Sequence, residues 1–258
     1  MFSRKTPLEK EKAKLHKQEL AFLEKREHKT DSKLTQVLAE KVPDNLQNTL
    51  DTAFSKAFCI VFEKGVGVIE KTYKKDEIKQ AYQVNEYATH LNPNRKSLKA
   101  FSKKASTSGN VNLMLSGVSG IGLGILGIGI PDIVVFTGLL LRSVYEIALN
   151  YGFEYESESE KRFILLLIQG ALSHGEELYR INGDINHYIA TGSFREEVTM
   201  QSSIDKTAGC LSKELLYMKF LQGIPIVGAA GGAFDAIYMK QVVKYAELKY
   251  RRRFLMNR

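Results

Sequence analysis

Four side chains that could ligate a metal ion lie close together in the sequence: His174, Glu177, Asp184 and His187. Imidazole nitrogens and carboxylate oxygens are the usual protein ligands of zinc and related divalent ions. Their spacing does not match HExxH or another helical metal motif. A hydrolase or metal-dependent enzyme with a site around residues 174–187 is therefore the alternative function, and a bound metal is not the leading expectation.

Other catalytic signatures are missing from the sequence. The triplet Asn182-Gly183-Asp184 indicates a turn, because these residue types suit the backbone angles that turns require. Neither a G-x-S-x-G motif nor a Walker A motif occurs. Gly122-x-Gly124-x-x-Gly127 matches the dinucleotide-binding pattern, but no alternation of strands and helices surrounds it. The sequence predicts no cofactor and does not indicate a reaction.

Two glycine-rich apolar segments repeat one arrangement, in which Gly-Ile-Pro is followed by an aspartate that opens a helix. Gly120-x-x-x-Gly124 and Gly228-x-x-x-Gly232 have the small-residue spacing that lets two backbones approach closely. We therefore expect an all-α bundle with two glycine-rich hairpin segments at its centre. The structural or lipid-facing candidates are Gly120, Gly124, Pro131, Asp132, Gly223, Pro225, Gly228, Gly232 and Asp235.

The first segment permits more than one interpretation. Residues 113–131 are uncharged and about long enough to span a membrane as a helix. The six glycines from Gly117 to Gly129 disfavour a regular helix and favour a hairpin, either buried in protein or dipping into a bilayer. Pro131-Asp132 suits a helix start, since Asp accepts free backbone N–H groups. The alternative is a buried ion pair, for example with Arg142.

Basic residues are concentrated ahead of the first glycine-rich segment. Residues 1–104 contain 22 Lys and Arg against 14 Asp and Glu, whereas residues 105–258 contain 15 of each. A basic region favours an anionic partner, although a solvated helix face has the same composition. Nucleic acid is unlikely because neither a binding motif nor a run of stacking aromatics occurs. The expected partner is an anionic membrane surface or a membrane protein complex; the sequence does not indicate the oligomeric state.

The chain divides into a short arm and one larger domain. The sequence of residues 1–30 predicts a charged helix, and its thin apolar stripe indicates that this helix is peripheral or mobile. The sequence of residues 31–258 predicts a single helical domain. The basic end of the last helix, Arg251–Arg253, either complements the helix dipole or rests on an anionic membrane. Because the N-terminus lacks the apolar core of a secretory signal, we expect a cytoplasmic protein, peripheral to or dipping into the inner face of the cell membrane.

Several ordered patches resemble one family. They are IPD with its helix and YGF, an acidic spacer, a fully apolar helix, and GIPIVGAAGGAFDA with a helix that ends in YRRRFL. This order resembles the EcsC family over roughly Leu34 to Leu255. The resemblance implies a bacterial, mainly α-helical domain that some members encode beside an ABC transporter. It supplies no catalytic residues, and the family often has Asn at the position of Asp235.

Two function classes follow from these observations. The leading hypothesis is a non-enzymatic, membrane-associated accessory protein, linked to an ABC transporter or secretion system, whose paired hairpins pack together or enter the bilayer. It is based on the two repeats, the basic N-terminal region and the missing catalytic motifs. The rival is the enzyme with a site around residues 174–187.

Overall fold

The computed structural model describes residues 5–27, 44–107, 130–221 and 231–258. Its helices are α1 (Pro7–Glu27), α2 (Asp44–Ile60), α3 (Val66–Glu70), α4 (Lys75–Leu91), α5 (95–107), α6 (Ile130–Asn150), α7 (Glu158–Leu172), α8 (Gly175–Thr191), α9 (Met200–Leu221) and α10 (Gly231–Met256). A π-helical turn, Val61–Gly65, joins α2 to α3. The described ranges contain no β-strand, so the predicted all-α fold is confirmed.

Helix α7 forms the centre of the bundle. Between Phe163 and Leu172 nearly every side chain is buried, and the helix packs against α8, α9 and α10. The hydroxyl of Ser157 caps its N-terminus by accepting the backbone N–H of Glu160 at 3.2 Å. A helix that is apolar on all sides is stable only when neighbours cover all sides, and the three flanking helices do so.

Helix α7 approaches its neighbours most closely at Gly170. A Cβ atom there would lie 2.8 Å from a ring carbon of Tyr245 on α10 and 3.1 Å from the Ile185 side chain on α8. Because carbon atoms of packed side chains stay about 3.5–4.0 Å apart, only glycine fits without displacing a neighbour. Close packing through a small residue is therefore present in this bundle, at a position other than the two glycine pairs that the sequence singles out.

Helix α6 is apolar along most of its length. Its stretch Ile133–Asn150 has the length and composition of a membrane span, and 72% of that stretch is buried inside the protein. The helix ends at Asn150, two residues before Gly152. Gly152 has a positive φ of 81°, and its N–H donates to the carbonyl of Leu149 at 3.0 Å. Such a left-handed residue is a common way to end a helix.

The predicted turn at Asn182-Gly183-Asp184 is wrong, because α8 continues through this triplet. Ile181, Ile185 and Tyr188 are buried and repeat with the helical period across the triplet. Burial of this apolar face outweighs the weak local preference of Asn, Gly and Asp for a turn.

Helices α6 and α10 lie side by side and run in the same direction. The Ser143 hydroxyl contacts the sulfur of Met239 at 3.5 Å, and further along both helices the Tyr151 and Phe254 rings have centroids 5.6 Å apart. Each helix follows one of the glycine-rich segments in the sequence. Parallel packing therefore places the starts of both helices at the same end of the bundle.

Helix α1 packs against α8 and α10. Leu15 and Leu23 are buried, and the Phe22 ring stacks on Tyr245 with centroids 4.9 Å apart. The division of the chain near residue 30 stays a prediction, because residues 28–43 lie outside the described part.

Candidate functional site

All four metal-ligand candidates lie on α8 or directly before its first residue, and they do not form one cluster. Glu177 and Asp184 both accept hydrogen bonds from Arg180, at 2.7 and 3.2 Å. These bonds hold the pKa of the Glu177 carboxyl below its usual value. His174 instead faces α1, where its Nε2 lies 2.9 Å from Nη2 of Arg26. Among the described residues, no group of three or more His, Cys, Asp and Glu side chains could hold a metal ion.

Most of the glycine-rich candidates lie beyond what the structure describes. Gly120, Gly124, Gly223, Pro225 and Gly228 fall outside the described residues. Pro131 and Asp132 belong to the first turn of α6, and Gly232 and Asp235 to the start of α10. Their side chains are outside the description, so their roles stay predictions. Arg142, the suggested partner of Asp132, pairs with Glu146 of its own helix at 2.8 Å.

One polar cluster secures the turn between α3 and α4. The Tyr155 hydroxyl donates to Glu70 at 2.6 Å and lies 2.5 Å from the Tyr73 hydroxyl. Lys75 donates to Glu70 at 2.7 Å and to Glu156 at 2.5 Å. Burial, reinforced by the neighbouring carboxylate, raises the pKa of Tyr155 well above its usual value. Since these groups bond one another, the cluster stabilises the fold and offers no free acid or base.

A basic cleft of about 960 Å³ lies where α1, α5 and α10 meet. Lys14 and Gln18 line it from α1, and Lys244, Glu247 and Arg251 line it from α10. From α5 come Arg95, Lys96, Lys99, Ala100, Ser102, Lys103, Ser106 and Thr107. Lysine and arginine therefore dominate its walls, with one carboxylate among them.

Helical spacing explains why these side chains share a cavity. On α5, Lys99, Lys103 and Ser106 are separated by four and three residues and lie on one face. The opposite face of α5 is fixed to the bundle by the buried residues Leu98, Phe101 and Ala105. On α10, Lys244, Glu247 and Arg251 repeat in the same manner. Each wall of the cleft is thus the polar face of a helix whose other side is anchored in the core.

The two arginines of the cleft are already paired. Glu11 of α1 is buried and bridges them, with one oxygen 2.6 Å from Nε of Arg95 and the other 2.5 Å from Nη2 of Arg251. Burial alone would raise the pKa of Glu11, but the Arg95 hydrogen bond and both arginine charges hold it below its usual value. The Glu11 carboxylate is therefore ionised at neutral pH and neutralises part of this positive charge.

The lysines of the cleft are not neutralised in this way. Lys14, Lys96, Lys99, Lys103 and Lys244 are exposed, and none forms an ion pair with a described carboxylate. Glu247, the one acidic lining residue, is half-buried, and burial raises its pKa. Positive charge therefore exceeds negative charge in the cleft.

The basic end of α10 has ion-pair partners inside the bundle. Arg251 pairs with Glu11, Arg252 with Glu19 at 2.7 Å, and Arg253 with Glu160 at 2.7 Å. These arginines therefore link α10 to α1 and α7. The sequence could not show this, because their partners lie about 90 to 240 residues away along the chain.

The chemistry of the cleft suits anion binding. Ammonium groups and serine hydroxyls are hydrogen-bond donors that match phosphate or carboxylate oxygens. The sequence shows a basic region but does not show that α1, α5 and α10 form a cleft. The i, i+4, i+7 spacing of Lys99, Lys103 and Ser106 is the signal in the sequence that points to it.

Comparison with known proteins yields one match. No curated protein and no solved structure matches the chain. A family model described as the EcsC protein family matches residues 5–255, which covers nearly the whole sequence and includes α1, α5 and α10. The chain therefore belongs to the EcsC protein family.

Proposed function

We propose that the protein is a non-enzymatic accessory protein that associates with the surface of an anionic membrane through the basic cleft and the exposed lysines beside it. The observation that carries the proposal is the set of five exposed lysines, none of which lies within ion-pair distance of a described carboxylate. Each basic residue near an anionic leaflet contributes about 1 kcal/mol of attraction. Such a set can hold a protein at a membrane surface.

The order of the elements in the sequence supports the same proposal. Helix α5, which carries Lys96, Lys99 and Lys103, leads directly into residues 108–129 in the sequence. Helices α6 and α10 begin at the same end of the bundle, and near their starts Val135 and Ile237 are 44% and 41% exposed. Exposed apolar residues in a protein that also has a basic surface favour attachment at a lipid boundary. An accessory role beside an ABC transporter or secretion system belongs to this proposal and stems from the family resemblance.

The test is co-sedimentation of the full chain with vesicles. We expect binding to vesicles that contain phosphatidylglycerol, weaker binding to pure phosphatidylcholine, and loss of binding near 1 M salt, where the Debye length is about 3 Å. A variant with Lys96, Lys99, Lys103 and Lys244 changed to Gln should bind the anionic vesicles roughly 10² to 10³ times more weakly, since about 1 kcal/mol is lost per lysine.

The matched control changes four other exposed lysines to Gln and so removes the same charge. These are Lys56, Lys71, Lys206 and Lys213, which lie on α2, on α9 and in the turn after α3. Equal losses in the two variants would show that net charge, rather than the cleft, controls binding. Equal binding to both kinds of vesicle would end the membrane proposal. The enzyme alternative gains no support from the described part of α8, where Arg180 occupies the Glu177 and Asp184 carboxylates.

A further inference from the structure

The basic cleft has the dimensions of a binding site for one small group, beyond what electrostatic attachment to a surface requires. Three helices line this open cleft of about 960 Å³, a volume within the range of about 300–1,000 Å³ typical of small-molecule sites. Attraction between a protein and a charged leaflet needs only exposed lysines on a flat face. A concave surface lined by three helices goes beyond that requirement.

The donors in the cleft approach from two sides. Lys99 and Lys103 lie on the α5 wall, and Lys244 lies on the α10 wall. Ser106 follows these lysines on α5; the residue is half-buried, and its hydroxyl forms no hydrogen bond with another described residue. Three ammonium groups and a hydroxyl offer the charge and the hydrogen bonds that a tetrahedral phosphate group can accept.

The remaining charged residues limit where an anion can be held. Glu11 occupies Arg95 and Arg251, so the arginine end of the cleft already contains a carboxylate. Glu247 faces the cavity from α10 and forms no ion pair with a described residue. An anion is therefore bound best toward the Lys99, Lys103 and Lys244 side, away from Glu11, and its affinity is reduced by the charge of Glu247.

We propose that this cleft is a one-to-one binding site for a phosphate group, held by Lys99, Lys103, Lys244 and Ser106. The inference deepens the proposed function and rests on it for one of two sources of the group, the head group of an anionic lipid. The other source is a free phosphate compound. The chemistry is the same in both cases, and soluble probes test it without a membrane.

The experiment is calorimetric titration of the full chain with two probes. One is dihexanoyl phosphatidylglycerol, kept below its micelle concentration, and the other is inorganic pyrophosphate. We expect saturable binding of one probe molecule per chain. Tighter binding of the lipid supports a head-group site, and tighter binding of pyrophosphate supports a site for a free phosphate compound. If neither probe gives saturable binding, the proposed site is refuted.

Two substitutions distinguish a built site from diffuse attraction. Ser106→Ala changes no charge and should weaken binding about tenfold, as expected for loss of one hydrogen bond to a charged group. Its control is Ser202→Ala, a half-buried serine of α9 away from the cleft, which should bind as the wild type does. Unchanged affinity in a folded Ser106→Ala protein overturns the proposal. If circular dichroism shows that this variant does not fold, Lys103→Gln replaces it, with at least the same expected loss.

The second substitution should strengthen binding. Glu247→Gln removes the one acidic side chain among the described lining residues and should tighten binding severalfold. Its control, Glu176→Gln, changes an exposed carboxylate of α8 and should have no effect. Equal affinities in these two variants would place the anion elsewhere. Vesicle binding without soluble binding refutes the phosphate site and leaves the proposed function intact. Soluble binding without vesicle binding refutes the membrane function alone.

Discussion

The contact that ties α1 to the bundle contains a buried ion pair whose two partners should respond very differently to substitution. Lys249 of α10 is 1% exposed and Glu19 of α1 is 6% exposed, and they are 3.0 Å apart. Lys249 also donates to the Asn186 side chain at 3.0 Å, and Glu19 also accepts from Arg252 at 2.7 Å. Burial lowers the pKa of Lys249 to about 8, so its charge is expensive to keep inside the fold.

Glu19→Gln removes the one carboxylate that compensates this buried ammonium. Loss of one partner of a buried pair typically costs about 3–5 kcal/mol, because the other charge is left without compensation. Lys249→Met should be far milder, within about 1.5 kcal/mol of wild type, since Glu19 keeps Arg252 and a flexible apolar side chain occupies the space. The structure therefore predicts a large asymmetry between two substitutions of the same contact.

Urea unfolding followed by far-ultraviolet circular dichroism measures both free energies of unfolding, and the chain has no tryptophan whose fluorescence could be used. Glu24→Gln is the matched control, because Glu24 is an exposed carboxylate of the same helix; it should stay within about 0.5 kcal/mol of wild type. If Glu19→Gln costs under about 1 kcal/mol, or no more than Lys249→Met, then the ammonium is hydrated and the buried-pair argument is wrong.

Three further predictions concern glycines and pH. Gly152→Ala should lower the free energy of unfolding by about 1–3 kcal/mol in urea, because φ is 81° and the new Cβ would lie 2.3 Å from the Tyr82 ring. Gly170→Ala should also destabilise, by about 1–3 kcal/mol, whereas Gly209→Ala, a helical site with open space around it, should stabilise by up to about 1 kcal/mol in the same assay. Lys249 has a lowered pKa, so the unfolded chain holds more protons than the folded one between about pH 8 and 10.5. Wild type should therefore gain up to about 3 kcal/mol relative to Lys249→Met across that window, and parallel pH profiles would contradict this.

Those parts of the fold that depend on strong local patterns could be predicted from the sequence. The apolar residues on every side of α7 are typical of a buried helix, and Gly152, two residues after the last residue of α6, is typical of a helix end. The turn predicted at Asn182-Gly183-Asp184 is wrong, because it depended on a weak local pattern. Burial of Ile181 and Ile185 on either side of the triplet outweighs the preference of these residue types for a turn.

The candidate site could be predicted only in part. A basic region ahead of residue 105 was evident, and the spacing of Lys99 and Lys103 places both on one helix face. The opposite wall, with Lys244, comes from a helix about 140 residues later in the chain. Which lysines remain unpaired depends on such long-range neighbours, and charge counts along the sequence do not contain that information.

The distinction between paired and unpaired cations explains where the net charge of +8 can act. The run Arg251–Arg253 has the strongest local charge density in the sequence, yet each of its side chains meets a glutamate of α1 or α7. These three charges form ion pairs that hold the bundle together, and each is offset by a nearby carboxylate. The electrostatic field that they produce outside the protein is therefore small. The lysines of α5 meet no such partner, so their field reaches solvent and can attract an anion over about a Debye length. The surface that we propose for an anionic partner is therefore the cleft lined by α5, which in the sequence precedes the first glycine-rich segment.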